Sequence, residues 1–141
     1  MRGLSWLPYA LLSALFAAAT AILAKLGVEG VPSTLATAIR TIVILIFAWS
    51  ISFAKGEHHV LSSLSRKTVL FLVLSGIATG LSWLAYFRAL QLGPASRVAP
   101  VDKLSLALTV LLAIVVLGEP FTWRVGLGAA LIVAGALLTI R

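Results

Sequence analysis

Charged side chains set inside apolar sequence are the residues of this chain that could do chemistry. Asp102 and Lys103 follow Pro100 at the start of one apolar run, Arg40 stands about seven residues into another, and Lys25 and Arg88 lie close to the ends of two more. A charge in a hydrocarbon layer is costly, so such groups face a protein interior or a water-filled path, where they bind solutes or fix helices. Pro100 removes a backbone donor and frees carbonyls in the preceding turn, which brings unwound backbone and charge together. Neighbouring helical residues point about 100° apart. Asp102 and Lys103 are therefore not expected to neutralise each other, and Arg40 and Lys25 are the expected bases for the carboxylate. The plainer reading of Asp102 is a buried ion pair that fixes helix packing. Arg40 is roughly 10 Å from the start of its span at ~1.5 Å per residue, which suits an interior cation and a snorkelling side chain equally. Lys25 and Arg88 read first as interfacial anchors and second as groups at a cavity mouth. Trp83 and Tyr86, one turn apart, offer the apolar wall that small-molecule sites combine with a few polar groups, beside a simpler role in packing. Trp6, Tyr9, Trp49 and Trp123 read as interface belts.

The elements that must position these residues are membrane helices. A ~30 Å hydrocarbon core takes roughly 20 helical residues to cross. Gly3 to Ala24 and Thr68 to Phe87 supply charge-free runs of that length, whereas Thr41 to Ala54, Leu104 to Gly118 and Val125 to Ile140 must be lengthened. Lengthening takes in Arg40 in one case and Asp102 and Lys103 in another. The expected spans are about 4–25, 33–54, 68–90, 97–118 and 121–141, in a single domain over 1–141. Gly27 to Pro32, Lys55 to Lys67, Gly93-Pro94 and Gly118-Glu119-Pro120 are the connections, all carrying turn or helix-stop residues or polar sequence. An all-α membrane protein follows, because backbone groups in lipid must bond within their own segment and no stretch alternates like a barrel strand. Arg2, the first apolar run and Ala17-Ala18-Ala19 imitate a cleaved secretory signal. The run continues to Lys25, longer than a signal core, and reads as an uncleaved span.

Composition excludes most other classes. Hydrophobic residues make up 61% of the 141 and charged ones 11%, with a mean hydropathy of +1.13; a soluble domain so composed would aggregate. Cysteine is absent, which removes disulfides and thiolate metal sites. The net charge of +7 would suggest nucleic acid in a soluble protein. Here the basic residues flank apolar spans and read as topology signals and contacts to anionic lipid, so no nucleic-acid partner is expected. No phosphate loop, nucleophile elbow or metal-ligand spacing occurs, and neither an enzyme nor a cofactor or metal is expected. His58 and His59 read as part of a solvated hairpin. Gly76 and Gly80, and Gly126, Ala130 and Ala134, form faces of small residues that let helices approach within a chain or between chains.

Specific resemblance begins in the second half. The run Tyr86-Phe87-Arg88-Ala89-Leu90-Gln91-Leu92-Gly93-Pro94-Ala95-Ser96-Arg97-Val98-Ala99-Pro100 leads into Val101-Asp102-Lys103-Leu104-Ser105, then Leu117-Gly118-Glu119 and Gly128-Ala129-Ala130-Leu131-Ile132-Val133-Ala134-Gly135. This resembles the EamA-type domain of the drug/metabolite transporter superfamily. Ala24-Lys25-Leu26-Gly27 and Ala36-Thr37-Ala38-Ile39-Arg40-Thr41 are similar to its small five-span bacterial and archaeal branch. The segment from Gly128 is also similar to the terminal, dimer-forming helix of the small multidrug resistance family. The resemblance implies a transporter of small metabolites, with two five-helix halves in opposite orientation around a cavity. This chain has one such half and must dimerise to complete a pore. Span one carries no carboxylate, a departure from the proton-coupled small multidrug exporters.

With the N-terminus in the cytoplasm, Arg2, Lys55, Arg66, Lys67 and Arg124 lie inside and Lys25, Arg88, Arg97 and Arg141 outside. Five against four is a weak bias for a rule that normally orients a membrane protein. It is compatible with insertion both ways round and hence with an antiparallel homodimer that reproduces an inverted repeat. The expected function is transport of small metabolites across the cytoplasmic (inner) membrane by alternating access. The excess of interior cations favours amino acids or other carboxylate-bearing solutes, with Lys25, Arg40, Trp83, Tyr86, Arg88, Asp102 and Lys103 as candidate substrate-binding residues. A flippase for lipid-linked precursors and a non-transporting scaffold or assembly subunit are the other readings.

Overall fold

The computed structural model describes residues 5–140, so Arg2, the start of span one at Gly3 and Arg141 lie outside the described residues. Among the described residues there are six α-helices and one 3₁₀ helix and no strand. They form α1 (Leu7–Gly27), α2 (Ser33–Ala54), a 3₁₀ helix (Glu57–Ser63), α3 (Arg66–Leu92), α4 (Ala95–Asp102), α5 (Leu104–Leu117) and α6 (Trp123–Leu138). Span one is α1, which runs unbroken through Ala17-Ala18-Ala19. Spans two and three are α2 and α3. Span four is α4 and α5 together, over Ala95–Leu117, and span five is α6. Four of these segments are long and apolar enough to cross a membrane. The fifth has 16 residues, about 24 Å at 1.5 Å per residue, and approaches a full crossing only with its flanks, as its sequence requires.

Local chemistry explains where helices stop and how their polar groups survive in lipid. In α2, Thr37, Thr41 and Ser50 donate to the carbonyls of Ser33, Thr37 and Ile46 at 2.9, 2.8 and 2.8 Å, which satisfies each hydroxyl inside its own helix. Gly56 ends α2 at φ +70°, a left-handed conformation that glycine adopts without strain. Ser65 opens α3 by accepting the amide of Thr68 at 3.0 Å, and Thr122 opens α6 by accepting that of Val125 at 3.4 Å; both satisfy donors that a helix start leaves unpaired. Span four does not unwind at Pro100, which lies within α4. The two segments meet at Lys103, whose φ of −71° and ψ of −5° depart from helical values one turn after the proline.

The described chain falls into two compact units, residues 5–25 with 92–140 and residues 26–91. In the first, α5 packs on α6 and α4 packs on both. In the second, the 3₁₀ helix folds back on α2. The hairpin Lys55 to Lys67, expected as a solvated loop, is mostly exposed and carries this 3₁₀ helix, with the His58 ring tilted against Phe53 at 4.8 Å.

Very little of the chain is buried: Ala21, Ala24, Val28, Thr37, Phe87, Leu90 and Ala136. Consecutive residues such as Leu70, Phe71, Leu72, Val73 and Leu74 are all exposed, an arrangement that is stable only where lipid or another helix takes the place of water. The small-residue faces are open as well. A Cβ at Gly76, Gly80, Gly128 or Gly135 would meet nothing within 4 Å, whereas one at Gly126 would meet the Phe121 ring at 2.7 Å.

Candidate functional site

Within residues 26–91 the structure builds one cation onto aromatic rings. Arg40 projects from α2 with its guanidinium carbon 4.3 Å from the centre of the Trp83 ring and 5.2 Å from that of Phe87. Trp83 and Phe87 are four residues apart on α3, hence on one face, and the ring faces carry the negative charge density that a cation seeks. Phe87 is buried at 2% exposure and meets Tyr86 edge-on at 6.4 Å. Trp83, one of the two aromatics expected to offer an apolar wall, is thus also a ring under the guanidinium, and Phe87, which the sequence did not single out, is the second.

No carboxylate pairs with Arg40 among the described residues. A guanidinium seated on ring faces keeps its five N–H donors in its own plane, in a fork that matches a carboxylate. In an apolar wall this is the chemistry of an anion receptor.

The same stripe of α3 continues to Gln91, four residues beyond Phe87. Its Nε2 donates to the carbonyls of Val28 at 3.3 Å and Val31 at 2.5 Å, and its Oε1 accepts from Arg88 Nη1 at 3.2 Å. Arg88 thus holds the Gln91 amide in the orientation that fastens the turn between α1 and α2. Gln91 carried no signal of its own in the sequence; the spacing of Trp83, Phe87 and Gln91 at four and eight residues was the readable clue.

The remaining candidates lie in the other unit. Lys25 donates from Nζ to the Gly93 carbonyl at 3.0 Å, next to the proline that starts α4, which fits an anchor at a helix junction. Asp102 pairs with its neighbour Lys103, Nζ to Oδ2, at 3.1 Å. The expectation that the two could not neutralise each other is therefore corrected. The 100° offset applies to their Cβ directions, and the four-carbon lysine stem at the α4–α5 junction is long enough to swing back. The side chains of Asp102 and Lys103 are 33% and 49% exposed on the single chain.

Comparison with known proteins points to a membrane transporter. The EamA-like transporter family matches residues 4–141. A protein of Sinorhizobium sp. described as an uncharacterized transporter in the cobO 3' region is 53% identical over 134 residues, covering 95% of this chain and 95% of its own length. No solved structure matches the chain.

Proposed function

The chain belongs to the EamA-like transporter family, and from that premise we propose that it carries small metabolites with an anionic group, such as amino acids or other carboxylates, across the cytoplasmic membrane. It is a multi-pass membrane transporter; substrate charge, site and assembly are the proposal. The observation that carries it is the Arg40 guanidinium, held against Trp83 and Phe87 with no carboxylate partner among the described residues. A cation of that kind in a wall of low polarity attracts a carboxylate and repels a lipophilic cation.

In this reading the working unit is a homodimer with its copies in opposite orientations, which reproduces the inverted repeat that alternating-access transporters use. The open glycines of α3 and α6 supply faces on which a second copy can approach closely. Arg88 acts through Gln91 on the turn between spans one and two, and Asp102 with Lys103 contributes a polar station early in span four.

The test is a titration of purified protein with a carboxylate and with its neutral amide, followed by thermal stabilisation, since a ligand that binds only the folded state raises its stability. Arg40→Gln should weaken the carboxylate roughly 10-fold or more, as expected for a hydrogen-bonded charge, and leave the amide nearly unchanged. Equal losses for both ligands, or tight binding of a quaternary ammonium compound to the unmodified protein, would overturn the assignment. A scaffold subunit would bind neither ligand.

A further inference from the structure

The end of α2 and the 3₁₀ helix line a second site, an open groove of about 260 Å³ bounded by Ala48, Trp49, Ser52, Glu57, His58 and Leu61. Its chemistry is opposite to that of Arg40. Trp49, Ala48 and Leu61 supply apolar walls, Ser52 a hydroxyl and Glu57 a carboxylate. His58 Nδ1 is buried with no hydrogen-bond partner, and the ring is held by stacking on Phe53 at 4.8 Å and on His59 at 4.0 Å. A buried polar atom left unpaired costs about 1–3 kcal/mol, so Nδ1 of His58, a residue that lines the groove, is an acceptor that a ligand donor reaching it would satisfy.

Each of these groups selects the same partner. The indole face attracts a cation, the carboxylate pairs with one, and the C-terminal end of α2 favours positive charge through its helix dipole. With the proton on Nε2, His58 Nδ1 accepts a hydrogen bond. The common partner is an organic ammonium group with N–H donors. Position narrows its source. The 22 residues of α2 extend about 33 Å, enough to cross the hydrocarbon core, so its end lies at the level of lipid headgroups.

We propose that this groove binds the ammonium of an aminophospholipid headgroup, with Glu57 and the Trp49 ring taking the charge and His58 Nδ1 accepting one N–H. Lys55 Nζ, 3.7 Å from Glu57, is the internal cation that the headgroup displaces. The site is independent of Arg40 and of the solute carried.

The experiment compares thermal unfolding in nanodiscs of phosphatidylglycerol alone, of phosphatidylglycerol with phosphatidylethanolamine, and of phosphatidylglycerol with soluble ethanolamine. Phosphatidylethanolamine should raise the midpoint by about 3 °C, the scale on which one modest interaction moves a chain of this size. Glu57→Gln, and His58→Phe, which keeps the stacked ring, should each lose most of that rise. Where a variant melts early, native mass spectrometry of its retained phosphatidylethanolamine gives the same comparison without a melting curve. An equal rise in the unmodified protein and both variants, or no rise at all, would overturn the site. An equal rise with soluble ethanolamine would overturn the lipid as its source.

Discussion

The guanidinium of Arg40 rests 4.3 Å above the Trp83 ring, so an indole, and not a carboxylate, holds the charge that span two brings into the membrane. A cation held this way keeps its hydrogen-bond donors, which an ion pair would have consumed. Trp83→Leu should remove an attraction of about 1–2 kcal/mol, let Arg40 swing towards the interface and weaken a bound carboxylate by roughly 5- to 30-fold. Trp83→Phe keeps a ring face and should stay within about 3-fold of the unmodified protein. The check is a calorimetric titration of the three proteins with one carboxylate ligand. Equal affinities for all three would show that the indole does not support the site.

How much of this was legible in the sequence depended on the range of the interaction concerned. Helical spans were readable because hydrocarbon thickness fixes their length, and Arg40, Asp102 and Lys103 stood out because charge inside an apolar run is rare. Partners were harder. Asp102 was assigned a distant base on the strength of helix geometry, but the junction at Lys103 releases its side chain from that geometry. Phe87 looks like any other apolar residue until Arg40 is placed over it. The 3₁₀ helix after Gly56 was hidden by the polar sequence of Glu57, His58 and His59, which reads as loop unless the stacking of His58 on Phe53 is known. Gln91 illustrates the same limit, since a neutral amide becomes informative only when the carbonyls it bonds are known.

Gln91 spends both of its amide donors on the carbonyls of Val28 and Val31. Gln91→Leu removes two hydrogen bonds worth about 0.5–1.5 kcal/mol each and should loosen the turn that contains Gly30. Amide hydrogen exchange at residues 28–31 is expected to quicken markedly while exchange in the middle of α3 stays the same. Arg88→Ala should give a smaller change in the same direction, because it frees the Gln91 amide to rotate without deleting it. Unchanged exchange in both variants would show that the turn is held by other contacts.

Asp102 and Lys103 pair with each other at the α4–α5 junction, and Asp102→Asn removes one charge while keeping the side-chain volume. Asp102→Asn should therefore leave the melting temperature nearly unchanged. If the carboxylate works in the transport cycle, uptake into proteoliposomes should fall to background in the same variant. Retained uptake with normal folding would remove Asp102 from the site, and a large loss of stability would show that the pair fixes packing.

The orientation of the chain can be read from the two ends of α2. Glu29 lies before that helix and His59 after it, both are exposed, and the chain has no cysteine, so a thiol introduced at either position is unique. In an antiparallel dimer each position is present on both sides of the membrane. Impermeant maleimide should then label Glu29→Cys and His59→Cys alike from outside intact cells, and further label should enter each after permeabilisation. The weak bias of positive charge is the cause proposed for such an arrangement, so the arrangement should also be adjustable. Replacing Ser62 and Ser63 by Lys adds two cations to the hairpin side and should drive most copies into the orientation with that hairpin inside. External labelling of His59→Cys should then fall, and transport with it, because oppositely inserted partners become scarce. If the two unbiased variants label from one face each, or if transport survives the shift to a single orientation, the antiparallel dimer is excluded and the second half of the pathway must come from a parallel copy or another chain.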